Sequence, residues 1–480
     1  MTKQQKLEKG VLTLKRGFGF IALEQSGEES LPDLFVPPEN MGPAMHGDTV
    51  LVRRIQSRGR EAAVIEKVVE RAATEIIGTV DRRGQELLVL CERATEPLRI
   101  DFTQDSPGRN TLVPGHRVVA RITKFPTDSL PGRCTITEVL GPAGDPEVEL
   151  KASRLAHFLP KRFPTEVLSA AKALPGTLSA DEMRKRRDLR KLGVFTIDPT
   201  DARDFDDAIS LERLPDGWLR VGIHIADVSH YVREGAAIDK EAYDRATSVY
   251  LPGEVIPMLP ERLSNGLCSL VENEDRPTVS VFAEFDPQLQ PRRFSHCRSL
   301  IRSHRRFTYE EVDKILEGGA GDFRADILSL KRVSESLNRI RLERGAVDLD
   351  LPEEKPILDV NGKVIAVKTV ERTWSHRLIE ELMILANEYV ARAIAQRGIF
   401  RVHEPPSPAK LLQLRRFLAT LGRPMRCDDL QQVLDRFRGT PSQVVVETMV
   451  LRSMQEAKYS HENLGHYGLA SDAYTHFTSP

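Results

Sequence analysis

Residues 196–210 read TIDPTDARDFDDAIS. Five of the ten residues from 198 to 207 are aspartates, and Arg203 is the one basic residue among them, so the segment carries a charge of about −4. Crowded carboxylates repel one another, and each raises the pKa of its neighbours. The apolar flanks, VFTI before and AISL after, indicate strands that hold the segment against a hydrophobic core. We therefore expect an acidic loop between two strands, with a cation to balance its charge.

Three interpretations of this loop compete. A calcium-binding loop that began at Asp204 would need an oxygen ligand at its fifth position and glycine at its sixth, where the chain has Ala208 and Ile209. A solvated acidic turn would not need the apolar flanks. A phosphodiester-cleaving metal site explains both the charge and the flanks, because carboxylates there hold one or two cations that polarise a phosphate. Oxygen ligands without histidine or cysteine favour Mg²⁺, with Mn²⁺ as the alternative, over Zn²⁺.

Length and composition indicate an ordinary globular protein of several domains. The chain has 480 residues, a length typical of roughly three domains. Hydrophobic residues make up 40% and charged residues 29%, which excludes a disordered or collagen-like chain. Lys and Arg number 69 against 70 Asp and Glu, for a net charge of −1. This balance excludes a globally basic nucleic-acid binder, so a basic binding surface has to be local.

The sequence also predicts the cellular compartment in which the protein is found. MTKQQKLEKG contains no apolar run typical of a secretory signal, and no stretch of the chain approaches the length of a transmembrane helix. The five cysteines are scattered and lack the spacing of a zinc site. We expect a reduced cytoplasmic protein that has no membrane association, zinc or nucleotide cofactor.

Pattern changes divide the chain into four parts. Residues 1–70 and 71–145 consist of short alternating runs bounded by turn signals, which predict two small β-barrels in tandem. Residues 146–191 have helical spacing and predict a helical connector. From residue 192 to 480, strands such as WLRVGIHIADV alternate with helices such as SHRLIEELMILANEYVARAIAQR, which predicts one α+β domain.

An aromatic surface is expected on the first barrel. Phe18 and Phe20 are two residues apart, so a strand would place both on one face, and Phe35 could lie on a neighbouring strand. Together with Lys15 and Arg16 they would form a platform on which unpaired bases stack. The alternative is that these rings belong to the core of the barrel.

Two resemblances support these interpretations. RGFGFI, DLFVPP and HGDTVLVR, in the first 60 or so residues, resemble the cold-shock type of OB-fold, which binds single-stranded nucleic acid. TIDPTDARDFDDAIS resembles the signature of the catalytic (RNB) domain of the ribonuclease II and ribonuclease R family. Further segments resemble that family in the same order: VGIHIADVSHYV (221–232), ATSVYLPGEVIPMLPERLSNGLCSL (246–270), HRLIEELMILAN (376–387), FRVHEPP (400–406) and HYGLASDAYTHFTSP (466–480).

The family resemblance implies an activity and a set of site residues. Its members are Mg²⁺-dependent 3′-to-5′ exoribonucleases that release nucleoside 5′-monophosphates from single-stranded RNA. By resemblance, Asp198 and Asp207 are direct metal ligands, and Asp204 and Asp206 bind a second cation or orient the attacking water. Asp201 is then a helper or a turn cap.

Other positions also match the family. Tyr250 matches the tyrosine that packs against the last nucleotide and sets the length of the end product; the alternative is an ordinary strand aromatic. Glu380 and Glu381 match paired glutamates, one of which would point at the active site, although a helix-dipole role is equally open.

The resemblance implies further chain as well. Family members continue past HFTSP with Ile-Arg-Arg-Tyr, the rest of the catalytic domain and, usually, an RNA-binding OB-fold. One of those arginines would bind the scissile phosphate. We therefore expect a catalytic domain that is incomplete at its C-terminus. Three alternatives follow: the chain is impaired in activity or folding, it is a fragment of a longer reading frame, or a second polypeptide completes it. A non-catalytic RNA-binding module and a DNA phosphodiesterase are the competing functions, and protein partners are not predicted.

Overall fold

The computed structural model describes residues 7–15, 17–24, 33–57, 60–103, 107, 111–127, 129–160, 162–359, 364–394 and 397–478. These residues form two compact units. The first lies within Met1–Lys161, Leu251–Ile256 and Leu358–Ile365, and the second lies within Arg162–Tyr250, Pro257–Ile357 and Ala366–Pro480.

The first unit begins with a five-stranded antiparallel sheet. Its strands are β1 (Glu8–Lys15), β2 (Phe18–Leu23), β3 (Leu34–Val36), β4 (Thr49–Ser57) and β5 (Arg60–Glu70). Their order is β3-β2-β1-β4-β5, and β3 also lies against β5, so the sheet curls toward closure. The alternating pattern explains the core, because Leu12, Ile21 and Val50 face inward and are fully buried. Gly17, with φ of 83°, makes the β1–β2 turn in a conformation that favours glycine.

A second group of strands forms a closed barrel. They are β6 (Glu75–Arg83), β7 (Glu86–Leu90), β8 (Leu98–Ile100), β9 (His116–Lys124) and β10 (Arg133–Pro142), in the order β10-β8-β7-β6-β9. Val89, Val118 and Cys134 are fully buried inside it. Helix α1 (Pro146–Ala156) follows, and the Asp145 carboxylate caps it by accepting hydrogen bonds from two backbone N–H groups of its first turn.

The remaining elements alternate strands with helices. In chain order they are α2 (Thr165–Ala173), α3 (Ala180–Arg184), β11 (Arg187–Asp188), β12 (Val194–Asp198), β13 (Asp207–Arg213), β14 (Leu219–Ala226), α4 (Val228–Tyr231), α5 (Ala237–Arg245), β15 (Val249–Leu251), β16 (Glu254–Ile256), β17 (Asp275–Phe285), β18 (Pro291–Thr308), α6 (Tyr309–Leu316), α7 (Arg324–Glu343), β19 (Glu353–Leu358), β20 (Val364–Val370), α8 (Trp374–Ile394), β21 (Phe400–Val402), α9 (Pro408–Thr420), α10 (Leu430–Phe437), α11 (Gln443–Ser453) and β22 (Lys458–Ser460).

A six-stranded mixed sheet organises the second unit, in the order β11-β18-β12-β13-β14-β17. All five residues of β12 are buried, because the sheet is covered on both faces. One face, which includes Phe195 and Ile209, packs on α6, α7 and α8, and the other, which includes Val194 and Ala208, packs on α2, α4 and α5. Barrel-like sheets followed by an α+β domain confirm the fold class predicted from the sequence.

The predicted elements of the second unit are also observed. The runs VFTID, AISLE and TVSVFAEF lie in β12, β13 and β17, and the long amphipathic segment forms α8 over 21 residues. Among the helices in the described ranges, none combines the length and the apolar character needed to cross a lipid bilayer.

Candidate active site

The acidic loop, residues 198–207, connects two neighbouring strands of the central sheet. Asp198 is the last residue of β12, and Asp207 is the first of β13. These strands pair only through Val194–Ser210 and Phe195–Ile209. Beyond those pairs the loop occupies the space between the strand ends, and both of its terminal aspartates are fixed by the sheet.

Hydrogen bonds from surrounding residues hold the middle of the loop. The buried Ser269 hydroxyl donates to the carbonyl of Arg203 (2.8 Å) and accepts from the N–H of Phe205 (3.1 Å). The N–H of Ala226 in β14 donates to the carbonyl of Asp206 at 3.0 Å. The loop is therefore an ordered element. Ser269 lies in the segment 246–270 that resembles the family, but the sequence analysis did not single it out, because its role depends on a contact across 64 residues.

Burial sets the electrostatics of the loop. Desolvation is the largest cause that raises the pKa of Asp198 to about 6 and of Asp206 and Asp207 to about 7. Mutual repulsion adds to it, since Asp198 and Asp206 both raise the pKa of Asp207, and Asp204 raises that of Asp206. The four aspartates predicted from the sequence are thus brought together, with three of them largely removed from water.

The donor set suits a hard divalent cation. Asp198 is 9% exposed, and its Oδ2 is buried without a hydrogen-bond partner. An unpaired buried carboxylate oxygen is costly unless a cation compensates it. However, no three Asp, Glu, His or Cys side chains in the described ranges already stand in a geometry that could hold a metal ion. The chemistry of the donors fits a metal, and binding would require their side chains to converge.

Tyr250 borders the acidic loop. It lies on β15 with its side chain 66% exposed, and its hydroxyl donates a hydrogen bond to Oδ2 of Asp204 at 3.1 Å. Burial, together with the charge and hydrogen bond of Asp204, raises the pKa of Tyr250 to about 12. An exposed ring beside a carboxylate is available to a ligand, which an ordinary buried strand aromatic would not be.

Tyr309 and His376 are neighbours that the sequence analysis did not single out. The two rings are stacked with centroids 4.0 Å apart. Burial, with the charges of Asp207 and Asp198, raises the pKa of Tyr309. The position of Tyr309 near the acidic loop follows only from the sheet topology. Strand β18 runs parallel to β12, and Thr308, the residue before Tyr309, lies opposite Asp198.

The two glutamates predicted from the sequence have different surroundings. Glu381 is 2% exposed and forms a buried ion pair with Arg341 at 2.6 Å, to which Asn338 adds a hydrogen bond. Glu380 is partly exposed and pairs with Arg372. In the part of the chain that the structure describes, the hydrogen bonds of both glutamates go to residues outside the acidic loop, and Glu381 is occupied by Arg341 and Asn338. A role at the active site stays a prediction for both Glu380 and Glu381.

The aromatic surface lies on the first sheet of the first unit. Phe18, Phe20 and Phe35 have ring centroids 5.7–5.9 Å apart, and Phe20 pairs with Phe35 across β2 and β3. None of the three belongs to the hydrophobic cluster of that sheet, so the core alternative is wrong. Lys15 is exposed at the end of β1, whereas Arg16 lies outside the described residues.

Comparison with protein-family models identifies the chain. The RNB domain matches residues 186–480, the Ribonuclease B OB domain matches residues 11–68, and the Cold shock domain matches residues 100–164. The chain belongs to the RNB family. This finding confirms the resemblance and, with it, membership in a family of exoribonucleases. The cold-shock match begins at β8 and ends after α1, so the predicted domain limits at 70, 145 and 191 stay predictions.

Individual relatives support the RNB assignment over nearly the whole chain. Ribonuclease R of Thermotoga maritima is 39% identical over 94% of this chain and 66% of its own length. Ribonuclease R of Aquifex aeolicus is 36% identical over 98% of this chain and 68% of its own. A structure of Mycoplasma genitalium RNase R in complex with ribose methylated single-stranded RNA has a TM-score of 0.85 and 29% identity, and the match covers 98% of this chain and 76% of that one. The RNB chain therefore spans about two thirds of its first curated relatives.

Proposed function

We propose that the chain is a Mg²⁺-dependent exoribonuclease that hydrolyses single-stranded RNA from its 3′ end and releases nucleoside 5′-monophosphates. The observation that carries the proposal is the acidic loop, which keeps Asp198, Asp204, Asp206 and Asp207 beside the exposed ring of Tyr250. The RNB match and the ribonuclease R relatives support it. A cytoplasmic location is part of the same proposal.

The carboxylates have distinct proposed tasks. Asp198 and Asp207 would be direct ligands of a divalent cation, since they stand at the two ends of the loop on fixed strand termini. Asp204 and Asp206 would hold a second cation or orient the attacking water. When bound, Mg²⁺ or Mn²⁺ neutralises the charge that develops on the phosphate and lowers the pKa of water. Because the pKa is about 6 for Asp198 and about 7 for Asp206 and Asp207, all three carboxyl groups are ionised together only above neutral pH until a cation binds.

Tyr250 and the aromatic surface would bind the RNA. The Tyr250 ring offers a face on which the terminal base can stack, and its bond to Asp204 fixes its hydroxyl near the acidic loop. Phe18, Phe20 and Phe35 present stacking faces of the kind that bind unpaired bases without sequence preference. The RNA-bound Mycoplasma genitalium relative supports single-stranded RNA as the ligand.

The direct test uses the purified chain with 5′-labelled oligo(A) and Mg²⁺. The proposal expects a ladder that shortens from the 3′ end to a short limit product, with nucleoside 5′-monophosphates released and with no cleavage after chelation by EDTA. Oligo(dA) is the matched control, and it should remain intact because 2′-hydroxyl contacts distinguish RNA. Tight binding of intact oligo(A) would instead establish the RNA-binding module, and equal degradation of oligo(dA) would establish a DNA phosphodiesterase.

A further inference from the structure

Arg306 contacts the acidic loop from the neighbouring parallel strand. It lies on β18 opposite Thr196 of β12, two residues before Asp198. Its Nη2 donates hydrogen bonds to two successive carbonyls of the loop, Pro199 O at 2.6 Å and Thr200 O at 3.1 Å. The register of the two strands therefore delivers this side chain to the point where the loop leaves the sheet.

The same guanidinium also reaches the far side of the loop. Its central carbon lies 5.4 Å from the ring centroid of Phe205, between Asp204 and Asp206 in sequence. Arg306 thus touches both the beginning and the end of the segment that carries the aspartates. Ser269 holds the remaining part, through Arg203 and Phe205, and the Thr200 hydroxyl donates a hydrogen bond to Glu310 at 3.4 Å, so removal of Arg306 would loosen mainly the Pro199–Thr200 side.

The base of the Arg306 side chain is fixed. Its backbone N–H donates to Oε2 of Glu272 at 3.1 Å, and the next residue, Phe307, is buried in the core. The Nε of Arg306 is buried without a hydrogen-bond partner. A buried N–H that lacks a partner is unfavourable. We infer that the hydrogen bonds of Nη2 to the loop compensate this cost and keep the guanidinium in its position.

The charge of Arg306 works in two directions. It favours the ionised form of Asp198 and so offsets part of the rise that burial causes in the pKa of that carboxyl group. A positive charge beside the carboxylates also repels a second cation. Charge alone therefore predicts that loss of Arg306 tightens Mg²⁺ binding, whereas support of the loop predicts that its loss weakens binding. The two roles can be separated by the sign of one measurement.

We propose that Arg306 is a positioning residue whose hydrogen bonds to Pro199 and Thr200 hold the loop where it leaves β12, so that the side chains of Asp198 and Asp204 can converge on a divalent cation. This inference rests on the proposed function and adds a residue that acts through the loop backbone. Arginine suits the role because Nη2 can donate to two carbonyls while the planar guanidinium lies near an aromatic ring, whereas the ammonium of lysine has no planar face.

The experiment compares Arg306→Met, Arg306→Lys and the control Arg302→Met. Arg302 lies on the same strand and donates to Asp275, so its loss removes an equal charge without touching the loop. Calorimetric titration with MgCl₂ in the absence of RNA should show about 10-fold weaker binding for Arg306→Met, as is typical when a partner of metal ligands is lost. Arg306→Lys should be intermediate, and Arg302→Met should equal the wild type.

Two further readouts separate positioning from general stability. Hydrogen exchange at the amides of residues 200–206 should accelerate in Arg306→Met and not in Arg302→Met, while thermal unfolding of the two variants stays similar. With oligo(A), kcat should fall about 10-fold with KM within about 2-fold, because docking of the RNA is unchanged. Excess Mg²⁺ should restore part of the lost kcat.

Each alternative outcome has one meaning. Unchanged or tighter Mg²⁺ binding in Arg306→Met, or unchanged loop exchange, overturns the positioning role and leaves the proposed function intact. Global unfolding of both Arg306 variants overturns it too, since it marks a structural residue. If the wild-type chain neither binds Mg²⁺ nor cleaves oligo(A), the proposed function fails, and exchange in the loop still decides whether Arg306 holds it.

Discussion

The hydroxyl of Tyr250 donates a hydrogen bond to Oδ2 of Asp204 at 3.1 Å. This contact joins an exposed aromatic ring to the carboxylate at the centre of the acidic loop. Because the pKa of Tyr250 is raised to about 12, the phenol remains a donor throughout the neutral range. Tyr250 can therefore have two roles: its ring offers a stacking face for a base, and its hydroxyl is a fixed partner of the Asp204 carboxylate.

Two substitutions of Tyr250 distinguish the role of its hydroxyl from the role of its ring. Tyr250→Phe keeps the ring and loses the hydrogen bond, so we expect unchanged product length and a fall in kcat of about 10- to 100-fold, the value of one hydrogen bond to a charged group. Tyr250→Ala loses the ring as well. It should raise KM for oligo(A) by about 5-fold or more, from loss of 1–3 kcal/mol of stacking, and change the length of the limit product. Gel analysis of end products measures both, and identical products from the two variants would contradict the stacking role.

Asp206→Asn tests the acidic loop directly. The amide keeps the shape of the side chain and removes a charge used for hydrolysis, so kcat should fall by about 10²-fold or more with RNA affinity retained. The metal-free variant should also be more stable than the wild type at pH 8, because an ionised buried carboxylate is replaced by a neutral group. Fluorescence anisotropy with oligo(A) and thermal unfolding supply the measurements. Joint loss of binding and folding would show that the loop is structural.

The raised pKa values predict how stability and Mg²⁺ binding depend on pH. Folding favours the protonated forms of Asp198, Asp206 and Asp207, whose pKa values rise from about 4 to about 6–7. Their contribution to stability is present below the unfolded pKa near 4 and is lost as pH rises through 6–7. Without divalent cations, the wild type should therefore lose stability relative to Asp206→Asn between pH 5 and pH 8.

Mg²⁺ should reverse that loss, since the cation competes with protons for the same oxygens. The increase in Tm caused by MgCl₂ should be small at pH 5 and larger at pH 8. Thermal unfolding of the wild type and Asp206→Asn at four pH values measures it. An increase of equal size at pH 5 and pH 8 would be inconsistent with ligands that titrate in this range.

The Arg341–Glu381 pair predicts a stability effect without a catalytic one. Both side chains are nearly fully buried, so Glu381→Gln leaves Arg341 uncompensated and should lower the free energy of unfolding by about 3–5 kcal/mol. Glu380→Gln, at a partly exposed pair, should cost about 1 kcal/mol or less. Denaturant unfolding compares the two. A stable Glu381→Gln variant with reduced kcat would instead place Glu381 in the active site.

The aromatic surface predicts the opposite pattern, a binding effect without a stability effect. Phe18→Ala or Phe35→Ala should weaken oligo(A) binding by about 1–3 kcal/mol and leave unfolding nearly unchanged, because neither ring belongs to the core. Ile21→Ala, in the same sheet, is the control that should lower stability by about 2–5 kcal/mol. RNA affinity that is unaffected by both phenylalanine substitutions would remove this surface from the proposed interface.

The sequence by itself determined the strands around the acidic loop, the helix α8 and the clustering of aspartates in that loop, because these depend on residue type, local periodicity and a long specific motif. The tertiary structure decided which distant side chains surround the loop. Arg306 and Ser269 reach it from positions 64 to 107 residues away, through a strand register and a buried hydroxyl that leave no local pattern. It also decided that Glu381 is bound to Arg341 while its neighbour Glu380 remains partly exposed, since successive residues of a helix face different surroundings.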